Sequence, residues 1–464
     1  MSYPRILIAG TSSRVGKTLV SIGLMRALTN RGYTVQPYKV GPDFIDPSFH
    51  FFATGRPSRN LDSFMMKKRD IIEAFERGFR GADIAVIEGT MGLYDSHNAV
   101  DEKGSTAEIS KILKCPVILV ANVERMSRTA APFLLGYRIF DPNVQIAGVI
   151  LNRVGNERHA RKAKTAVESL AKMKVLGVIP RRGDIVIPDR HLGLIPAFER
   201  DEFLELFDKL AEVVEKYVDV DKIIEIAYKA PDIEIVEKNE IFRKKSDITS
   251  VKLGIFRDRV FTFYYQDNID ALVACGAKIY YIDSINDRKL PEVDALYIGG
   301  GFPEIFAREL EKNEKLRERI YEFCESGKPV YAECGGLMYL GETLKTLDGS
   351  EYEMVGFLPI KTEMFRRFQA LGYSIYKVIN DNIISHKGDQ ILGHEFHYSK
   401  VTEIKGKLNF AFKVERGKGI LDSYDGIILK NTLANYIHIH VLSYPNFARN
   451  FILSAKKSSR TNSS

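Results

Sequence analysis

Cysteine is scarce in this chain. Four cysteines in 464 residues, widely spaced, cannot frame a disulfide scaffold and point to a reducing compartment. Long apolar runs are missing too: none approaches the ~20 residues that a membrane span needs. The opening Met-Ser-Tyr-Pro-Arg runs straight into a strand-like stretch and has no signal-peptide layout. The expectation is a cytoplasmic protein with no membrane partner. Charge of one sign is also lacking. Lys and Arg number 67 against 60 Asp and Glu, a net +7 spread along the sequence. That balance favours a solvated surface with a slight lysine excess over a nucleic-acid footprint, and a polyanionic small substrate would also suit it. No internal repeat is present, so similar-looking halves must be different folds.

A length of 464 residues suggests two or three domains with ample core. The 45% hydrophobic and 27% charged content is that of an ordinary globular chain. In the first half, candidate strands at 5–9, 34–40, 84–88, 117–121, 145–151 and 175–179 alternate with helical stretches such as 17–29 and 67–79. Short apolar strands between helices indicate a parallel sheet covered on both faces. Residues 219–250 are charged and weakly periodic, and read as a helix plus linker. A second α/β unit follows, with strands at 251–256, 278–282, 295–298 and 329–332 and a change to shorter strands and loops after Met354. This gives domains at 1–218 and 251–452, with a polar, disordered tail at 453–464.

The stretch Gly10-Thr-Ser-Ser-Arg-Val-Gly-Lys-Thr18 lies between a strand and a helix. Its Gly-x5-Gly-Lys-Thr spacing is one residue longer than the common phosphate loop, and the physics is the same. Backbone N–H groups from Gly10, Thr11, Val15 and Gly16 and the helix N-terminus face the phosphates. Lys17 neutralises the β and γ phosphates, and the Thr18 hydroxyl ligates Mg²⁺. Acidic residues follow the other strands, where a parallel sheet presents its ligand edge. Asp43 and Asp46 lie in Gly41-Pro-Asp-Phe-Ile-Asp-Pro47, which the prolines make a loop; Glu88 ends the third strand, and Asp95 follows it. Mg²⁺ takes one or two carboxylates plus phosphate and water. Glu88 and Asp43 are the metal candidates. Asp46 and Asp95 are candidates for the metal or for holding a substrate carboxylate. Each acid alone could equally be a helix cap or turn residue. Asn152, ending the fifth strand, is a candidate contact to the nucleotide base.

The second half carries Tyr331-Ala-Glu-Cys-Gly-Gly336, a cysteine between an apolar strand and two glycines. A tight turn there would present the thiol at a helix N-terminus, with a lowered pKa and raised nucleophilicity. Such a nucleophile needs a base. His438 lies on a strand-like stretch about a hundred residues later, on the same face as His440 by alternation. Gly300 and Gly301 offer backbone donors to an oxyanion. Cys115, Cys275 and Cys324 read as buried structural thiols. His394-Glu-Phe-His397 has the wrong spacing for a zinc helix and reads as structural or substrate-facing.

Together these segments resemble the cobyrinic acid a,c-diamide synthases, glutamine-dependent amidotransferases of cobalamin biosynthesis, over almost the whole length. Residues 10–18, 39–47, 88–96 and 188–194 are similar to signatures of the dethiobiotin synthetase-like domain. Residues 261–268, 299–304, 333–340, 371–373 and 393–399 are similar to the class I glutamine amidotransferase-like domain. The resemblance implies an α/β fold of those two domains. It implies that Cys334 attacks glutamine with His438 as acid and base. Ammonia then passes internally to the first half, where ATP and Mg²⁺ convert a tetrapyrrole carboxylate into an acyl phosphate that ammonia displaces. The a and c carboxylates are amidated in turn, and a homodimer is left open.

Many amidotransferases place a glutamate two residues after the catalytic histidine; here that position is His440, as in the cobyrinic acid group, and what orients His438 is left open. Two alternatives stand beside this expectation. One is the relative that diamidates nickel-sirohydrochlorin in coenzyme F430 synthesis, with nearly the same motifs. The other is a P-loop ATPase switch without amidotransferase activity. Cobyric acid synthase is disfavoured by residues 188–194, and a cysteine hydrolase with a decayed nucleotide domain is disfavoured by Lys17 and Thr18.

Overall fold

The computed structural model describes residues 3–181, 200–234, 236–238, 240–243, 250–421 and 423–461. The segment at 188–194 lies outside them. The chain divides into two compact units, Met1–Lys238 and Asn239–Ser464.

In the first unit seven strands form one parallel sheet: β1 (Arg5–Gly10), β2 (Val35–Val40), β3 (Arg59–Leu61), β4 (Ile84–Glu88), β5 (Val117–Asn122), β6 (Ile146–Val154) and β7 (Val175–Pro180). Their order is β3-β2-β4-β1-β5-β6-β7. All six residues of β1 and all five of β4 are buried, the pattern of strands covered on both faces. The helices are α1 (Lys17–Asn30), α2 (Ile45–Thr54), α3 (Lys68–Phe79), α4 (Thr106–Ile112), α5 (Ala130–Phe140), α6 (Glu157–Ala166), α7 (Arg200–Tyr217) and α8 (Val220–Tyr228). The order places β1 between β4 and β5, so the loop after β1 and the end of β4 meet at one sheet edge.

Two expectations change here. Residues 43–47 are not a loop throughout, because α2 begins at Ile45 and contains both Asp46 and Pro47. Proline is tolerated in a first turn, where its missing N–H is not needed. The helix expected within 219–250 is α8, but its buried Val220, Ile223 and Ala227 belong to the first unit, which runs on to Lys238 rather than ending at 218.

The second unit is built on a ten-stranded sheet. Its parallel part is β8 (Val251–Phe256), β10 (Ala277–Ile282), β11 (Ala295–Ile298), β13 (Val330–Glu333) and β22 (Thr432–Asn435). It continues antiparallel through β21 (Tyr424–Leu429), β20 (Asn409–Arg416), β17 (Ala370–Val378), β18 (Gln390–His397) and β23 (His438–Ile439). A two-stranded ribbon joins β9 (Phe261–Phe263) to β12 (Gly300–Gly301). A four-stranded sheet holds β14 (Thr343–Lys345), β15 (Glu351–Glu353), β16 (Ile360–Met364) and β19 (Ser399–Ile404). Five helices pack around these sheets: α9 (Gln266–Ala274), α10 (Ala307–Lys312), α11 (Glu314–Glu325), α12 (Gly335–Leu340) and α13 (Asn446–Thr461).

The expected disordered tail from 453 is corrected by α13, which runs to Thr461. Phe447, Ala448, Phe451, Ile452 and Ala455 form a buried stripe at helical spacing. Phe447 meets the Tyr331 ring at 5.1 Å between centroids. That anchored stripe carries the polar residues beyond it into the same helix.

Candidate active site

The phosphate loop is shaped by backbone geometry. Gly16 has φ +94°, a left-handed conformation that other residues avoid, and a Cβ there would strike the Asn152 amide. No side chain caps α1, and its first turn contains no acid. The helix therefore presents the positive end of its dipole with no acid or capping side chain against it, a place for an anion. Gly10 ends β1; Thr11 and Val15 are buried in the loop, and Lys17 and Thr18 open α1.

The Thr18 hydroxyl donates to Glu88 Oε1 at 2.7 Å. Glu88 is fully buried and also meets His50 Nε2 at 2.8 Å and Lys39 Nζ at 3.3 Å. Lys39 lies 2.6 Å from Asp46 Oδ2 and donates to the Gly89 carbonyl at 3.0 Å. Burial opposes the Lys39 charge, but Asp46, Glu88 and Asp43 outweigh it and hold the ammonium pKa above its ordinary value. Burial and the Asp46 charge push the Glu88 carboxyl up; Lys39 and His50 outweigh them and hold it below its ordinary value. Asp43 accepts from the Ile45 and Asp46 N–H groups at 3.0 and 3.2 Å, closing the start of α2.

Thr18, Glu88, Asp46 and Asp43 are thus brought to one edge. Asp95 is exposed and accepts from the Gly92 N–H at 2.7 Å in its own turn, which packs against the phosphate loop through Leu93 N–H to the Gly10 carbonyl at 2.8 Å. Asn152 braces the loop, its Nδ2 donating to the Val15 carbonyl at 2.8 Å while Oδ1 accepts from Arg153 N–H at 2.9 Å. Lys39 and His50 were not foreseen. A buried lysine on a strand leaves no local signature, because its partners are seven and about fifty residues away. The donors at this edge suit Mg²⁺: the Thr18 and Glu88 oxygens sit 2.7 Å apart, near the ~2.9 Å edge of an octahedron with 2.0–2.1 Å metal–oxygen bonds.

In the second unit Cys334 stands between β13 and α12 with φ +48° and ψ −98°, strained for any residue with a side chain. The turn is held by Cys334 N–H to the Asn435 carbonyl at 2.7 Å and Gly336 N–H to the Gly299 carbonyl at 3.1 Å. The thiol is 5% exposed and lies 3.6 Å from the Phe396 carbonyl. Burial, with the Glu304 charge adding, pushes its pKa well up. This overturns the expected lowering: desolvation of the thiolate outweighs a helix of six residues. Cys115, Cys275 and Cys324 are outside any disulfide. Cys115 and Cys324 are buried with pKa values raised to about 12 by burial, whereas Cys275 is only half-buried, which corrects the expectation for that residue.

Three segments converge beside Cys334. A Cβ on Gly335 would lie 3.1 Å from Gly301 N, and a Cβ on Gly300 would lie 2.6 Å from His438 Cε1. The fully buried His438 imidazole therefore rests on the bare Cα of Gly300. His438 Nδ1 is 3.4 Å from Glu333 Oε2. His440 turns elsewhere: its Nδ1 accepts from Leu442 N–H at 3.1 Å, its Nε2 is 3.4 Å from Asp267 Oδ2, and its ring packs on Tyr265. His394 pairs with His438 across β18 and β23, and burial lowers its pKa to about 3. His397 stacks on Tyr436 at 3.8 Å and bonds the Ser399 carbonyl, so the two histidines of 394–397 serve different surroundings.

Residues 6–194 match the CobQ/CobB/MinD/ParA nucleotide binding domain, and residues 252–446 match the CobB/CobQ-like glutamine amidotransferase domain. A cobyrinate a,c-diamide synthase of Archaeoglobus fulgidus is 62% identical over 457 residues, 98% of each chain. The chain belongs to the cobyrinate a,c-diamide synthase family. Relatives of the same name from Methanothermobacter thermautotrophicus and Methanobrevibacter smithii are 46% and 44% identical, each over 97–98% of this chain and 99% of theirs. A cobyrinate a,c-diamide synthase family member joins an ATP-binding half to a glutamine amidotransferase half, which makes it a glutamine-dependent amide ligase. Among the described residues no helix is long and apolar enough to cross a membrane.

Proposed function

We propose that this protein amidates the a and c side-chain carboxylates of cobyrinate with ATP, taking nitrogen from glutamine or ammonia. The observation that carries the reading is the pairing, in one chain, of a phosphate loop whose Thr18 bonds the buried Glu88 with a strained Cys334 turn packed against Gly300 and His438.

In the amidotransferase half, Cys334 is stored as a thiol. Its Sγ attacks the glutamine side-chain carbonyl while its proton passes to His438. The developing oxyanion is met by the backbone N–H groups of Gly300 and Gly301. His438 returns the proton to the departing ammonia, and water then hydrolyses the thioester to glutamate. In the ATP half, a carboxylate of the tetrapyrrole attacks the γ-phosphorus, the bond to the β-phosphate oxygen breaks, and ADP departs, leaving an acyl phosphate. Ammonia adds to the acyl phosphate, and phosphate leaves in place of the poor leaving group hydroxide. Lys17 and the amides from Gly10 to Gly16 hold the phosphates. Thr18, Glu88 and Asp43 would hold Mg²⁺, which supplies neutralisation of phosphate charge when bound. Asp46 and Asp95 are assigned to positioning the carboxylate, and Asn152 to the nucleotide side of the loop. The same reading sets the enzyme in the cytoplasm, with small-molecule partners and a homodimer to be tested by sizing.

The test is mass gain on cobyrinate with ATP. Wild type should form the diamide with glutamine or ammonia, and Cys334→Ala with ammonia alone. Nickel-sirohydrochlorin is assayed in parallel; amidation of it, with none of cobyrinate, would transfer the assignment to that macrocycle.

A further inference from the structure

The residue two after His438 is His440, so the carboxylate that orients the histidine must come from elsewhere or not exist. Glu333 occupies the place. It immediately precedes Cys334, is 1% exposed, and brings Oε2 to 3.4 Å from His438 Nδ1. Its carboxylate is tightly located. Tyr331 O–H donates to Oε1 at 2.7 Å, Tyr297 O–H donates to Oε2 at 3.2 Å, and the Ile439 N–H donates to Oε1 at 3.4 Å. The last contact ties the carboxylate to the backbone next to His438. Burial and the Glu333 charge raise both tyrosine pKa values, so they stay neutral donors. Among the described residues, His438 is the cationisable side chain that Glu333 meets. A carboxylate buried without lysine or arginine is costly. An imidazolium formed at His438 would supply the missing countercharge.

We infer that Glu333 is the positioning residue for His438, doing from the strand before the nucleophile what a glutamate two residues after the histidine does elsewhere. This rests on the reading of Cys334 and His438 as the glutamine-cleaving pair. The Nδ1–H donates to Glu333, which fixes the tautomer that leaves Nε2 as the base. When Nε2 takes the Cys334 proton, the carboxylate stabilises the resulting cation, and when the proton goes to ammonia the neutral pair is restored. No proton moves to Glu333. His440 cannot substitute, because the N–H of Leu442 already occupies its Nδ1 lone pair.

The experiment compares full-length wild type, Glu333→Gln, Glu333→Asp and His438→Ala for glutamate release and for amidation with glutamine or ammonia. Glu333→Gln should lower kcat for glutamine by about 10²-fold or more, with KM for glutamine and the ammonia-supported rate within about 3-fold of wild type. Glu333→Asp, which keeps the charge, should recover at least about a tenfold share of that loss. A glutamine kcat unchanged in Glu333→Gln would overturn the inference. So would a parallel fall of glutamine- and ammonia-supported rates, or failure of Glu333→Asp to exceed Glu333→Gln, since either reduces Glu333 to a brace between strands. If His438→Ala keeps glutamine turnover, the pair itself is wrongly assigned; if His438→Ala loses it and Glu333→Gln does not, only the role of Glu333 fails.

Discussion

Lys39→Met isolates the electrostatics of the first unit. The ammonium is 3% exposed and sits 2.6 Å from Asp46 and 3.3 Å from Glu88, whose side chains are 1% and 0% exposed. Methionine fills much of the same volume and removes the charge. Removing one partner of a buried ion pair costs about 3–5 kcal/mol, because the other charge is stranded. Thr18 and His50 still bond Glu88, and the loss falls on Asp46 and Glu88 together. For a unit of this size that lowers the first thermal transition by roughly 6–20 °C. The chain has no tryptophan, so far-UV circular dichroism of ligand-free protein is the readout. The pH dependence has a definite sign. Glu88 is held below its ordinary pKa in the wild type, so its stabilisation is present above the unfolded-state value and is lost as pH falls through the folded one. The gap between wild type and variant should therefore be widest near neutrality and close on acidification through the carboxylate range. A loss under about 1 kcal/mol at pH 7, or a gap that stays constant into acid, would refute the argument that the ammonium neutralises these carboxylates.

Three further outcomes are expected. Gly300→Ala places a Cβ 2.6 Å from His438 Cε1, so glutamine-dependent turnover should fall by about 10²-fold while ammonia-supported amidation persists; steady-state rates with each nitrogen source check this. Asn152→Ala frees the Val15 carbonyl and loosens the loop, raising KM for ATP by about fivefold for the ~1 kcal/mol bond lost, measured by ATP titration. His440→Gln should retain most glutamine-dependent turnover where His438→Ala abolishes it, because His440 is held by Leu442 and faces Asp267; the opposite ranking would exchange their roles.

What was readable from sequence was what is local. The glycines and Lys17-Thr18 of the loop, and the strands flanking it, follow from short-range periodicity, and the parallel sheet follows from those strands. Cys334 with its two glycines is equally local. The rest depends on distance in the chain. Glu88 finds Thr18 70 residues away, and Lys39 meets it through a strand neighbour that no period reveals. Glu333 is beside Cys334 in sequence, but its approach to His438, 105 residues further on, depends on how the strands come together in the sheet. Pro47 suggested a loop because its place within a helix could not be known before the start of α2 was fixed by Asp43. The thiol pKa went the wrong way because a helix end is visible in sequence and desolvation is not.

The strained backbone at Cys334 bears on how such an enzyme could decay. A side chain held at φ +48° and ψ −98° costs about 1–3 kcal/mol that glycine would not incur. On the proposed reading, exchange of Cys334 for glycine relieves that strain as it abolishes glutamine use. It also empties a side-chain position in the core of the second unit and frees the unfolded chain, so packing holds in place a residue that its own backbone disfavours.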